Sequence, residues 1–207
     1  MNGKFVTLEG CEGVGKSTQL KYLKEYLERE GVPAVFTREP GGTPLAERIR
    51  AVLLDDSLNI SPEAEAELFA TARRDHIDNF ILPALNEGKL VVCDRYLDSS
   101  LAYQGFGRGL GLETVLRINA YAVGKCMPDL TVFIDMDPLK SFRKMSGKKI
   151  EHDRIETENA EFHAACYRGF KEIEKLYPER FRSVVPEQDK SSTHGKIIEA
   201  LKKGGVL

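Results

Sequence analysis

The sequence has no apolar run approaching the roughly 20 residues that cross a bilayer, so no membrane-spanning helix is expected. No charged, then apolar leader is visible before the first β-prone stretch, so no secretory signal is expected either. Charge of one sign is also lacking. Thirty Lys and Arg stand against 32 Asp and Glu, a net charge of −2, which argues against a nucleic-acid or membrane-surface binder. Cysteine is sparse: Cys11, Cys93, Cys126 and Cys166 are scattered with no C-x-x-C pair, which excludes a zinc ribbon or a disulfide framework and suits a reducing, cytoplasmic compartment. No internal repeat, low-complexity tract or linker divides the 207 residues, so one domain spanning 1–207 with a sizeable core is expected.

What is present begins with Gly10-Cys11-Glu12-Gly13-Val14-Gly15-Lys16-Ser17, followed by Thr18. This is the G-x-x-x-x-G-K-S phosphate-binding pattern. Gly10, Gly13 and Gly15 let the backbone curl so that its N–H groups point at a phosphate chain. Lys16, expected to face solvent and phosphate, brings a point charge to the β and γ phosphates, and Ser17 a hydroxyl to Mg²⁺. The following helix adds the positive end of its dipole. Context supports the motif. Residues 4–9 are β-prone, and Leu20, Leu23 and Leu27 recur at helical spacing until Gly31 and Pro33. Cys11 reads as a small filler inside this loop.

Further along, strands are expected at 34–37, 89–94, 130–135 and 181–185. Helices are expected from Leu45 to Leu54, from Pro62 (capped by Ser61) to Gly88 with a bend near Pro83, over 113–124, from 140, over 158–177 and over 192–203. Residues 96–103 read as polar and partly helical, and Gly105, Gly107, Gly109 and Gly111 as a flexible loop. Alternating strands and helices predict an α/β fold: a five-stranded parallel sheet with helices on both faces, of the P-loop NTPase type. Residues 145–153 read as a mobile, basic lid. Arg38-Glu39 and Asp94-Arg95 fall at strand ends, where such sheets bind ligands, and Asp94 is the acid expected near Mg²⁺. Phe69 and Arg73, one turn apart on a helix, can stack on a base and donate to its carbonyl edge. Ser100 and Gln104 repeat that spacing.

Several stretches together resemble the thymidylate kinase family. They are 8–18, Thr37-Arg38-Glu39-Pro40-Gly41-Gly42-Thr43, Leu68 to Arg74, Asp94 to Gly105, Pro128-Asp129-Leu130-Thr131 and Asp153-Arg154-Ile155-Glu156. The match runs in order across nearly the whole chain. It implies transfer of a phosphoryl group from ATP to dTMP with Mg²⁺, in a cytoplasmic homodimer. Residue by residue, it implies that Gly10 to Thr18 bind ATP and that Ser17 and Asp94 hold the metal. Arg38 and Arg95 would hold the dTMP phosphate. Glu12 and Glu39 would lie near the sugar 3′-hydroxyl and those arginines, with Pro40 and Ser99 beside them. Arg50, Phe69, Arg73, Ser100 and Gln104 would line the thymine pocket, and Tyr103 would crowd the 2′ position. The catalytic set would be Lys16, Arg95, Asp94, Glu12, Arg154 and Lys149.

No arginine occupies positions 11, 12 or 14, so the resemblance is to the bacterial type, with basic lid residues. Arg143, Lys144, Lys148, Lys149 and Arg154 are the candidates, and the lid tip carries lysines in place of the usual arginines. Another small-molecule kinase on the same fold and a nucleotide-operated switch stay open as alternatives. A guanine-reading switch would usually carry an N-K-x-D element, which is lacking here.

Overall fold

The computed structural model describes residues 3–138, 140, 141, 154, 155 and 157–207. The expected lid, with Arg143, Lys144, Lys148 and Lys149, lies outside the described residues. Five short strands, β1 (Phe5–Glu9), β2 (Ala34–Arg38), β3 (Leu90–Asp94), β4 (Leu130–Ile134) and β5 (Phe181–Val184), form one sheet in the order β2-β3-β1-β4-β5. Every pairing is parallel. β1, β3 and β4 are almost wholly buried apolar runs, as strands covered on both faces must be. The register sets Leu8 and Arg38 beside Asp94, so the carboxyl ends of three neighbouring strands finish together.

The helices flank this sheet. α1 (Lys16–Arg29) turns Leu23 and Leu27 inward. α2 (Pro44–Leu54) and α3 (Pro62–His76) start at Thr43 and Ser61, whose hydroxyls accept from the N–H groups of Ala46 and Ala64, with proline first in each helix. The bend expected near Pro83 takes a definite form. A π turn at Ile77–Ile81 leads into α4 (Leu82–Asn86), because proline lacks the N–H for the regular ladder.

After β3 come α5 (Leu97–Ser100) and a second π turn, Leu101–Gly107. Two glycines expected in a flexible loop, Gly105 and Gly107, are therefore helical. A Cβ on Gly107 would lie 2.7 Å from Phe162 and Cys166, so a close approach requires glycine there. Gly109 and Gly111, at φ 78°, do form the turn that follows. The helix expected over 113–124 is two pieces, α6 (Leu112–Ile118) and α7 (Ala120–Lys125), interrupted at Asn119. α8 (Ala160–Leu176) is capped by Asn159 and α9 (Lys190–Lys203) by Asp189. Phe133 of β4 stacks on Phe170 of α8 with centroids 4.8 Å apart. No helix among the described residues is long and apolar enough to cross a membrane.

Candidate active site

The loop between β1 and α1 is where the fold leaves a helix end open. α2, α3, α8 and α9 each begin with a side-chain cap, but α1 begins at Gly15, φ 103°, with none. Its first amides remain available to an anion. Lys16 is buried, contrary to a residue expected to face solvent. Its Nζ donates to the carbonyls of Gly10 and Cys11, both at 3.0 Å. Burial, then the nearby Arg95, pull its pKa down, while Glu12 and Asp94 oppose this. Cys11 is wholly buried and its thiol is pushed up to about 12, first by burial. A filler role fits and a nucleophile does not. Val14 is buried as well.

Arg95 follows β3 in a left-handed conformation, φ 65°, which a residue with a Cβ adopts at a cost of about 1 kcal/mol. Three contacts hold it there. Nη1 donates to the Gly10 carbonyl at 2.9 Å and to Ser99 Oγ at 3.2 Å, and Nη2 pairs with Glu12. The guanidinium lies 5.1 Å from the Tyr103 ring centroid. Burial would raise the Glu12 carboxyl, but Arg95 and Lys16 outweigh it and hold the group below the usual range. Behind Arg95, Glu9 accepts from the Tyr96 N–H at 2.8 Å and from Ser99 Oγ at 2.6 Å.

One cavity of about 560 Å³ joins these groups to the residues downstream. Lys16, Ser17 and Thr18 of the loop, Arg38, Asp94 and Arg95 at strand ends, and Arg50, Phe69, Arg73, Ser100 and Gln104 from the helices all line it. Glu12, Gly13, Gly15, Glu39, Pro40, Leu54, Tyr96, Ser99, Tyr103 and Ile155 complete the wall. Gly10, Cys11 and Val14 belong to the loop but not to this wall. Arg38 is exposed and paired with Glu47 at 2.9 Å.

The Glu39 carboxylate, next in the chain to Arg38, accepts from Arg73 Nε at 2.7 Å and meets His76 Nδ1 at 3.0 Å. Arg73 is 2% exposed and also donates to Asn119 at 2.6 Å and the Tyr96 carbonyl at 3.1 Å. One hydrogen on each Nη is left over from these three bonds. Arg154 is not on the cavity wall. It donates to the Leu53 carbonyl at 3.1 Å and to Glu65 at 2.6 Å. Lys149 lies outside the described residues.

Glu9, Glu65, His76, Asn119 and Arg108 were not singled out from the sequence. For Glu65 a signal existed, because Glu65, Phe69 and Arg73 continue one i, i+4 stripe.

Asp94 Oδ1 is buried with no hydrogen-bond partner. It sits at the end of β3 on the same wall as Ser17, a donor set that suits a hard cation. Among the described residues no group of three His, Cys, Asp or Glu could hold a metal unaided. A Mg²⁺ here would therefore lean on phosphate oxygens.

A glycine loop opening a helix at the centre of a parallel sheet, with arginines facing it across one cavity, defines a P-loop nucleotide-binding protein of the phosphotransferase kind. The family model described as thymidylate kinase matches residues 8–197. Thymidylate kinases of Oceanobacillus iheyensis and Bacillus velezensis are 43% and 42% identical, over 97% and 98% of this chain and 90% and 99% of theirs. The crystal structure of thymidylate kinase from Ehrlichia chaffeensis is similar at a TM-score of 0.79 and 32% identity, covering 98% of this chain and all of that one. The chain belongs to the thymidylate kinase family. It is an enzyme that phosphorylates dTMP to dTDP with ATP as donor.

Proposed function

We propose that the transfer runs along the single cavity, with ATP on the loop end and dTMP at the far end. The observation that carries this reading is that Lys16, Arg38, Arg95, Phe69 and Gln104 all line one cavity. The dTMP phosphate is the nucleophile. It is ionised at neutral pH, so no general base is needed. Lys16 and Arg95 supply positive charge where the transferred group gains negative charge, and the loop amides fix the donor phosphates for an in-line approach. Arg38 exchanges Glu47 for the acceptor phosphate. Glu12 orients Arg95, and Tyr103, whose hydroxyl lies 3.4 Å from Glu12, narrows the space beside the sugar. Phe69 stacks on the base and Arg50, Arg73, Ser100 and Gln104 surround it.

Ser17 and Asp94 would hold Mg²⁺, which supplies charge neutralisation between the phosphates when bound. Residues 1–207 work as a single domain, and Lys149 and Arg154 bring further positive charge to the transferred group. Arg154 then gives up Glu65. The protein works as a cytoplasmic homodimer. The exposed Leu45 and Val52, seven residues apart on α2, support an apolar contact between copies.

The test is ADP release measured with a panel of nucleoside monophosphates. Turnover is expected with dTMP well above dCMP, dAMP and dGMP. Slow turnover that no monophosphate accelerates would favour a nucleotide-operated switch and refute this reading.

A further inference from the structure

Glu65 lies on α3 one turn before Phe69 and is entirely buried. It faces three donors. Arg154 Nη2 is at 2.6 Å, Arg108 Nε at 3.2 Å and Gln104 Nε2 at 2.9 Å. Burial alone would raise its carboxyl, but the hydrogen bonds from Arg108, Gln104 and Arg154 and the Arg108 charge outweigh it, and the group stays ionised. An ionised carboxylate only accepts. Whatever faces it must donate, so Gln104 must turn its NH₂ toward Glu65. The amide oxygen, which has no hydrogen-bond partner among the described residues, is then the end left for the cavity that Gln104 lines.

This has a consequence for base choice, resting on the reading that the dTMP base occupies the Phe69 end of the cavity. Thymine carries a donor at N3 and an acceptor at position 4. Cytosine reverses both, with an acceptor at N3 and an amino donor at position 4. An amide oxygen locked toward the pocket matches thymine N3–H and opposes cytosine N3. A free amide would rotate and accept either base. We propose that Glu65 is a positioning residue for base selection, fixing the Gln104 amide with its oxygen toward the pocket. It does so without touching the substrate.

The experiment compares kcat/KM for dTMP and dCMP in wild type, E65Q, Q104M, the E65Q/Q104M double variant and E158Q. Glutamine at 65 is nearly isosteric but can present either an acceptor or a donor, so the lock is released. The dTMP-to-dCMP ratio is expected to contract by about tenfold or more in E65Q. It should contract similarly in Q104M and no further in the double variant. E158Q removes a charge from the same cluster, the partner of Arg108, but touches neither Glu65 nor Gln104, so its ratio should stay at the wild-type value.

An equal loss on both substrates in E65Q would make Glu65 a packing residue and overturn the proposal. So would a ratio that contracts as much in E158Q, or one that contracts again when E65Q is added to Q104M. Q104M decides the matter even if E65Q does not fold, because an unchanged ratio there overturns the proposal. The underlying substrate reading is judged separately on wild type. A wild-type enzyme that does not prefer dTMP removes that reading, and the proposal with it, before any variant is considered.

Discussion

Replacing Glu9 with glutamine should change how stability depends on pH. Glu9 is fully buried at the end of β1. Its carboxyl is raised from an ordinary 4.5 to about 7, first by burial and then by the nearby Asp98 carboxylate, with Ser99, Arg95 and the Tyr96 N–H pulling the other way. In the unfolded chain the group ionises near its ordinary value. Between the two values the folded protein holds a proton that the unfolded chain has released. Stability therefore falls as pH rises through this window and is level on either side of it. At 1.36 kcal/mol per unit, the loss amounts to about 3 kcal/mol.

Glutamine carries no charge at any pH. Its oxygen can accept from the Tyr96 N–H and its NH₂ can donate to the Ser99 hydroxyl, so both contacts keep a partner. The unfolding free energy of E9Q relative to wild type should therefore rise by about 3 kcal/mol between pH 4.5 and 8. Urea unfolding of both proteins at matched pH and ionic strength measures this, with the slopes compared to check that the unfolded states are alike. Groups common to both proteins cancel in the difference. A difference that is flat across the window, or that moves the other way, would refute the assignment of Glu9 as a carboxyl whose titration the fold raises toward neutral pH.

Lys16→Ala should abolish phosphoryl transfer. It should also lower stability by about 1–3 kcal/mol, because two loop carbonyls lose a buried donor; turnover and a thermal melt read the two effects. Asp94→Asn should raise the Mg²⁺ concentration needed for half-maximal turnover while calorimetry shows dTMP affinity little changed, and an unaltered metal response would make Asp94 a structural acid. Arg73→Ala should narrow the advantage of dTMP over dCMP in kcat/KM. It should also cost about 3–5 kcal/mol in a denaturant melt, since it strips the buried Glu39 of a charged partner. An unchanged dTMP-to-dCMP ratio would mean that Arg73 supports the pocket without reading the base.

The parts of the fold that local chemistry dictates were legible in the sequence. The glycine loop, the five strands and the Ser61-Pro62 helix start depend on residues a few positions apart. So did the membership of most cavity residues, because they cluster at strand ends and on one helix stripe. The failures share a different cause. Gly107 looked like loop punctuation, but whether a glycine marks a turn or a close approach depends there on Phe162 and Cys166, more than fifty residues away. Lys16 was expected to face solvent because nothing local says that two carbonyls and a cavity wall enclose it. Glu9 and Glu65 were not singled out. Glu9 is held by the Tyr96 N–H and Ser99, and Glu65 by arginines at 108 and 154, and long-range pairing of this kind leaves no periodic trace.

The seam between the second π turn and α8 bears on how the pocket can evolve. Phe162 and Cys166 of α8 press onto Gly107, and reciprocally Phe106 presses onto Gly169, where a Cβ would come within 2.8 Å. Two such reciprocal seats fix the register of the elements against each other, since a slide in either direction drives a ring into backbone. The wall carrying Ser100 and Gln104 is therefore held like a cast surface. The opposite wall, from α2 and α3, has no such glycine seats. A lineage adapting to a bulkier base, or escaping an inhibitor wedged in this pocket, would have to make room through positions such as Arg50 and Phe69.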